Sequence, residues 1–188
     1  MGKFNHFSVI APVYEKYITP KAPEKLITLA KLPVSGRILD VGGGTGRVSQ
    51  FLPSYADQVI LADQSYQMTL ESQKKDSILP ICTESENLPF PNDYFERIIM
   101  VDALHHVNQQ ENTLNELWRI TKPGGMLIIE EPDIHTFYVK LIAIAEKLAF
   151  MRSHFLSPET IAKHFNSRPG SVHIEREDST AWIIISKP

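Results

Sequence analysis

The stretch LDVGGGTGRV, residues 39–48, sets four glycines within five positions directly after a β-branched run. Glycine loses more conformational freedom on folding than any other residue, so such a cluster is costly unless the backbone turns sharply or another group approaches closely. The run before it reads as a strand, and the glycines read as opening a helix. That order belongs to an open, mostly parallel sheet, where strand carboxyl ends and helix N–H groups face a ligand.

The rest of the chain agrees. From about residue 36, short apolar runs alternate with helical patterns, the signature of βαβ units. Strands are predicted near 37–41, 58–62, 78–82, 97–101 and 126–130. The clearest helix is 110–121, with Leu114, Leu117, Trp118 and Thr121 on one face; Lys122-Pro123-Gly124-Gly125 stops it, and a strand starts at Met126. Ser157 and Pro158 read as an N-cap and first helical position. A short turn near Ser179 and Thr180 separates SVHIERED from TAWIIIS, which predicts an antiparallel hairpin. The fold class is therefore α/β, a Rossmann-like, doubly wound, mostly parallel sheet with an antiparallel C-terminal hairpin strand. With 188 residues the chain is expected to be one domain. It divides into an N-terminal helical cap (1–35, punctuated by Pro12, Pro20, Pro23 and Pro33), a cofactor-binding core (36–132), a substrate cover (133–156) and a final helix and hairpin (157–188).

A net charge of −3 gives no electrostatic reason to bind a polyanion, so nucleic acid is not expected as a partner. The N-terminus lacks the apolar run of a signal peptide, and LIAIAEKLAF is broken by Glu146 and Lys147, so neither secretion nor a membrane span is expected. Cys82 is the sole cysteine, which forbids an intrachain disulfide, and the seven histidines lack zinc-like spacing. The expectation is a cytoplasmic protein without a metal.

The dinucleotide fingerprint fails in both frames: its last glycine falls on Arg47 when counted from Gly42 and on Ser49 when counted from Gly44. The P-loop fails as well, for no Gly-Lys-Ser/Thr follows at the required spacing. What remains is D-x-G-x-G-x-G, from Asp40 to Gly46.

Four stretches in this order, ILDVGGGTGRV, VILADQS, TESENLPFPNDYFERIIMVDALHHV and LWRITKPGGMLIIEEP, resemble the class I S-adenosylmethionine-dependent methyltransferases, with the seven-stranded fold of that family. The small-molecule branch that includes the ubiquinone/menaquinone C-methyltransferases is most similar. The resemblance covers residues 37–132, with a weaker echo in FSVIAPVYEKY.

It implies S-adenosyl-L-methionine as cofactor, held by Asp40, Gly42, Gly43, Gly44, Thr45, Gly46 and Gln64, with Asp63 at the ribose. Glu84 and Ser85 match the adenine-recognising positions, and Val101 and Asp102 the methionine end. Asp63 also has a physical reading, since a carboxylate ending the second strand can accept two hydrogen bonds from a ribose diol. The sulfonium methyl carries its own activation, so alignment matters more than a base. His105, His106, Glu131, Asp133 and His135 follow strand carboxyl ends and are candidates by position alone; no catalytic residue is assigned, and His105 and His106 are better explained by fold. Tyr14, Asp133, His135 and Phe137 are the substrate-side candidates. The apolar face formed by Phe137, Leu141, Ile144, Ala145 and Leu148, widened by Tyr138, Ile142, Ala149 and Phe150, admits three roles: an acceptor pocket, a homodimer contact or core packing.

The expected function is methyl transfer to oxygen or carbon of a small, apolar or aromatic acceptor. The alternative is a catalytically silent protein that binds or senses the cofactor. An RNA or protein methyltransferase is disfavoured, because Asp102-Ala103-Leu104-His105 stands where an Asn-Pro-Pro-Tyr type motif would be.

Overall fold

The computed structural model describes residues 23–148 and 153–188. Tyr14, Ala149, Phe150 and most of the expected N-terminal cap lie outside the described residues. The strands are β1 (Arg37–Val41), β2 (Gln58–Asp63), β3 (Ile78–Cys82), β4 (Phe95–Val101), β5 (Thr121–Pro132), β6 (Ser171–Glu177) and β7 (Thr180–Ser186). The helices are α1 (Glu24–Leu29), α2 (Tyr66–Ser72), α3 (Gln110–Ile120), α4 (Phe137–Leu148) and α5 (Pro158–Phe165).

The strands form one sheet in the order β3-β2-β1-β4-β5-β7-β6. Strands β1 to β5 run parallel, and β7 is antiparallel to both β5 and β6. The order reverses between β1 and β4, so the loops leaving their carboxyl ends diverge and open a crevice.

Alternation along the strands builds a core on each face. Leu39, Ile98, Met100, Leu127, Ile129, Ile183 and Ile185 meet α3 and α5 through Leu114, Leu117, Ile161 and Phe165. Ile38, Ile99, Ile128, Trp182 and Ile184 point the other way, against Leu26 and Ala30 of the α1 region and Val48 and Leu52. A sheet covered on both faces explains why its strands read as continuous apolar runs.

Three local expectations are corrected. The glycines do not open an α-helix: residues 42–48 turn, and only the 3-10 turns Ser49–Phe51 and Pro53–Tyr55 follow. Pro53 has no N–H with which to continue a helix, and the backbone after the glycines stays in short turns. Strand β5 starts at Thr121, because Phe95 pairs with Thr121 before the register shifts and Arg97 pairs with Met126. The Pro-Gly-Gly stretch is thus an irregularity within the strand. The hairpin turn is Asp178-Ser179, with Glu177 opposite Thr180 and Asp178 at φ 53°.

Helix α4 forms as expected, and the described residues of its apolar face turn to solvent. Phe137, Tyr138, Leu141 and Ile144 are all exposed, Phe137 at 76%, while Val139 is buried.

Candidate functional site

Gly42, Gly44 and Gly46 all adopt positive φ, at 72°, 57° and 81°. The reason for glycine differs along the turn. A Cβ on Gly42 would stand 2.6 Å from the Ala103 Cβ, and one on Gly43 would stand 2.7 Å from the Leu61 Cγ, so both positions let loop and strand pack closely. A Cβ on Gly44 would meet nothing nearer than the Met68 Sδ at 4.0 Å. Gly44 therefore keeps open space over the turn.

Two acids flank that space. Asp63, at the end of β2, accepts the Gly44 N–H at 2.9 Å on Oδ2 and the Ser65 N–H at 2.8 Å on Oδ1. Its burial raises the carboxyl pKa, and these two bonds oppose the rise. Asp40, in β1, is 1% exposed and accepts the Ser49 hydroxyl. Burial pushes its pKa up to about 6, helped by the neighbouring Asp63 charge and opposed by Ser49 and Arg47. A buried carboxyl so perturbed beside a cleft is a functional candidate. Glu130, at the β5 carboxyl end, is raised by burial too, against the hydrogen bond from the Trp182 indole at 2.9 Å.

The cleft gathers Asp40, Gly42, Gly43, Gly44, Thr45, Asp63, Gln64, Ser85, Val101 and Asp102, all singled out in the sequence. It adds Arg47, Met68, Glu86, Ala103 and Val107, which sequence reasoning passed over. Glu86 lines the cleft, whereas Glu84 is exposed and outside the lining. The loop after β3 has no period to say which acid turns inward; the ordering comes from Ser85, whose hydroxyl lies 2.9 Å from the Thr113 hydroxyl on α3. Gly46 is also outside the lining and packs toward Lys75, Ile78 and Ser72.

On the side of the β4 and β5 carboxyl ends, only one of the histidine pair reaches the cleft. His106 lines it, while His105 is 4% exposed, with Nδ1 2.6 Å from Glu131 Oε2 and its ring stacked on Phe155 at 4.4 Å. The substrate-side candidates do not converge there. Asp133 is buried and bound by Arg176 at 3.0 Å and by the His135 N–H. The His135 ring reaches Glu159 at 3.0 Å near the surface, and Phe137 points into solvent. These residues tie α4 and α5 to the hairpin through Arg176 and Glu159. Among the described residues there is no cluster able to hold a metal and no helix long and apolar enough to cross a membrane.

Backbone turns, acids at the ends of β1 and β2 and an apolar floor suit an extended, partly polar small molecule that carries hydroxyls and positive charge. Residues 39–129 match the model of a family described as "Methyltransferase domain". Over 115 residues the chain is 34% identical to the ubiquinone/menaquinone biosynthesis C-methyltransferase of Coxiella burnetii, a match covering 56% of this chain and 46% of the relative. The matched stretch thus spans about half the length of that curated relative. A protein of Methanococcus maripaludis described as "a putative s-adenosyl-l-methionine-dependent methyltransferase" superposes with a TM-score of 0.72 at 22% identity, covering 100% of this chain and 96% of that one. The structure of DhpI with SAH superposes with a TM-score of 0.74 at 17% identity, covering 97% and 94%.

Proposed function

Residues 39–129 form a methyltransferase domain of the class I S-adenosylmethionine-dependent kind, and from that premise we propose that the chain transfers a methyl group from S-adenosyl-L-methionine to a small, apolar or aromatic acceptor. The observation that carries the reading is the space above Gly44, which a side chain would fill and which lies beside the carboxyl group of Asp63. Each Asp63 oxygen already accepts one N–H and retains a lone pair for a ribose hydroxyl. Ser85 and Glu86 take the adenine end, with Glu86 in the part first assigned to Glu84. Asp40, Val101 and Asp102 face the methionine end, where a buried carboxyl favours the cofactor's positive charge.

When bound, the cofactor supplies a methyl group already activated by the sulfonium. The chain's own task is to exclude water and align the acceptor within near-attack distance. His106 and Val107 border the cleft where the acceptor enters. The relatives' names point to quinone-type carbon acceptors, and we extend that acceptor class to this chain on the strength of the 34% identity. The division into core (36–132), cover (133–156) and C-terminal helix and hairpin (157–188) is part of the same proposal.

The test is transfer of label from methyl-labelled cofactor to a panel of phenols, hydroquinones and quinols, read in the organic extract. Label in a defined product supports the reading. Tight cofactor binding without transfer to any acceptor would favour a silent binding protein instead.

A further inference from the structure

We infer that Glu131 is a positioning residue for the transfer, acting through the turn that follows β4; this rests on the reading of the cleft given above. Three donors converge on its carboxyl group. The Ala103 and Leu104 N–H groups donate to Oε1 at 3.0 and 2.7 Å, and His105 Nδ1 stands 2.6 Å from Oε2. Glu131 and His105 are each 4% exposed. Leu127 and Ile129, on the same face of β5, sit in the apolar core, so an acid is not what packing alone would select there. A buried carboxyl group is tolerated when its lone pairs are filled, and here consecutive residues of one turn fill them.

That turn is the cleft wall. Asp102, Ala103, His106 and Val107 all line the cleft, and they bracket the residues Glu131 holds. Asp102 has φ 53°, a left-handed conformation that a non-glycine residue keeps only when its surroundings over-determine it. The Asp102 N–H donates to the Glu130 carbonyl at 2.8 Å, and the grip of Glu131 begins at the next residue.

From the opposite side the turn is braced by residues 153–155. The His154 N–H donates to the His105 carbonyl at 2.7 Å, and Phe155 stacks on the His105 ring. The Gln110 amide donates to the carbonyls of Leu104 and His154 at 2.9 and 2.7 Å, and the Ser153 hydroxyl lies 3.3 Å from His106 Nδ1. His106 therefore takes its place in the cleft wall from a frame whose buried anchor is Glu131. A carboxylate oxygen only accepts, so the 2.6 Å contact calls for a proton on His105 Nδ1.

Two measurements test this. In long-range 1H–15N spectra of histidine-labelled protein, His105 is expected to be protonated at Nδ1; a His105 protonated only at Nε2 overturns the inference whatever the cleft binds. Calorimetry with S-adenosylhomocysteine is expected to give a Kd at least tenfold weaker in Glu131→Ala, about 1.4 kcal/mol. Glu131→Gln, whose amide oxygen still accepts both backbone N–H groups and whose NH2 donates to His105 Nδ1 once that ring carries its proton on Nε2, should stay within about threefold of the wild type. Phe165→Leu, remote from the cleft, should lower Tm with Kd unchanged, which separates positioning from stability. An unchanged Kd and kcat in folded Glu131→Ala overturn the inference. If that variant does not fold, a Gln variant as impaired as a cleft knockout overturns it and a near-normal one supports it. Failure of the wild type to bind S-adenosylhomocysteine defeats the reading of the cleft itself, and is seen before any variant is made.

Discussion

Gly42 and Gly44 have the same residue type and the same sign of φ, yet substitution should separate them. Gly42→Ala drives a methyl group into Ala103, so its main effect is expected on stability, about 1–3 kcal/mol by overpacking. Gly44→Val meets no nearby side chain but sets a β-branched residue at φ 57°, so it should cost some stability and, in the folded protein, lose cofactor binding. Asp63→Ala is expected to weaken cofactor binding by about 1.5 to 3 kcal/mol, the range for hydrogen bonds to a charged group. An equal loss for an analogue lacking its ribose hydroxyls would assign Asp63 another role. Asp40 makes a prediction with a sign. Its folded pKa of about 6 lies above the unfolded value near 4, so its favourable contribution is full below that lower value and is lost as pH rises through 6. At pH 7 the protein carries the burden of an ionised buried acid, about 3 kcal/mol. Asp40→Asn should therefore be more stable than the wild type at pH 7, with the advantage shrinking toward pH 4. A pH-independent difference in denaturant unfolding would contradict this.

At the level of elements, the sequence carried what period and punctuation can carry. Strands β1 and β2 are legible to within a residue because they are continuous apolar runs buried on both faces; β3 is an edge strand with Leu79 and Cys82 exposed, and is legible from its apolar composition alone. The α5 cap was readable as well: the Ser157 hydroxyl accepts the Thr160 N–H at 3.2 Å, with Pro158 in the first turn. Ser157→Ala should cost about 1 kcal/mol in unfolding measurements. What escaped was set by contacts distant in sequence. Thr121 joins β5 because Phe95 lies beside it, and Glu86 turns inward because Ser85 reaches Thr113. The histidines divide for the same reason. His105 and His106 are neighbours in sequence, but Glu131 and Phe155 draw one into the interior while the other lines the cleft. Alignment-led catalysis predicts that His106→Ala lowers kcat by less than the roughly 10²-fold to 10⁴-fold expected on losing a general base. His105→Ala leaves a buried Glu131 oxygen without its ring partner and should cost about 1–3 kcal/mol of stability. A kcat loss beyond 10²-fold in His106→Ala, with the acidic limb of the pH–rate profile removed, would make His106 the base.

At the scale of the whole molecule, the topology locates the site more firmly than any single motif. The β3-β2-β1-β4-β5-β7-β6 order puts the crevice at the carboxyl ends of β1 and β4, where the glycine turn and the Asp102–Val107 wall face each other. The net charge of −3 agrees with a small-molecule ligand, and sequence-selective, submicromolar binding of DNA or RNA at physiological salt would contradict that expectation. We read this crevice as a cofactor site whose shape depends on the missing side chain at residue 44. Isothermal titration calorimetry of S-adenosylhomocysteine against the wild type and Gly44→Val, each with its fold checked by circular dichroism, tests it most directly. Saturable one-to-one binding by the wild type and none by the folded variant is expected; equal affinity in the two proteins, or no binding by the wild type, overturns the assignment.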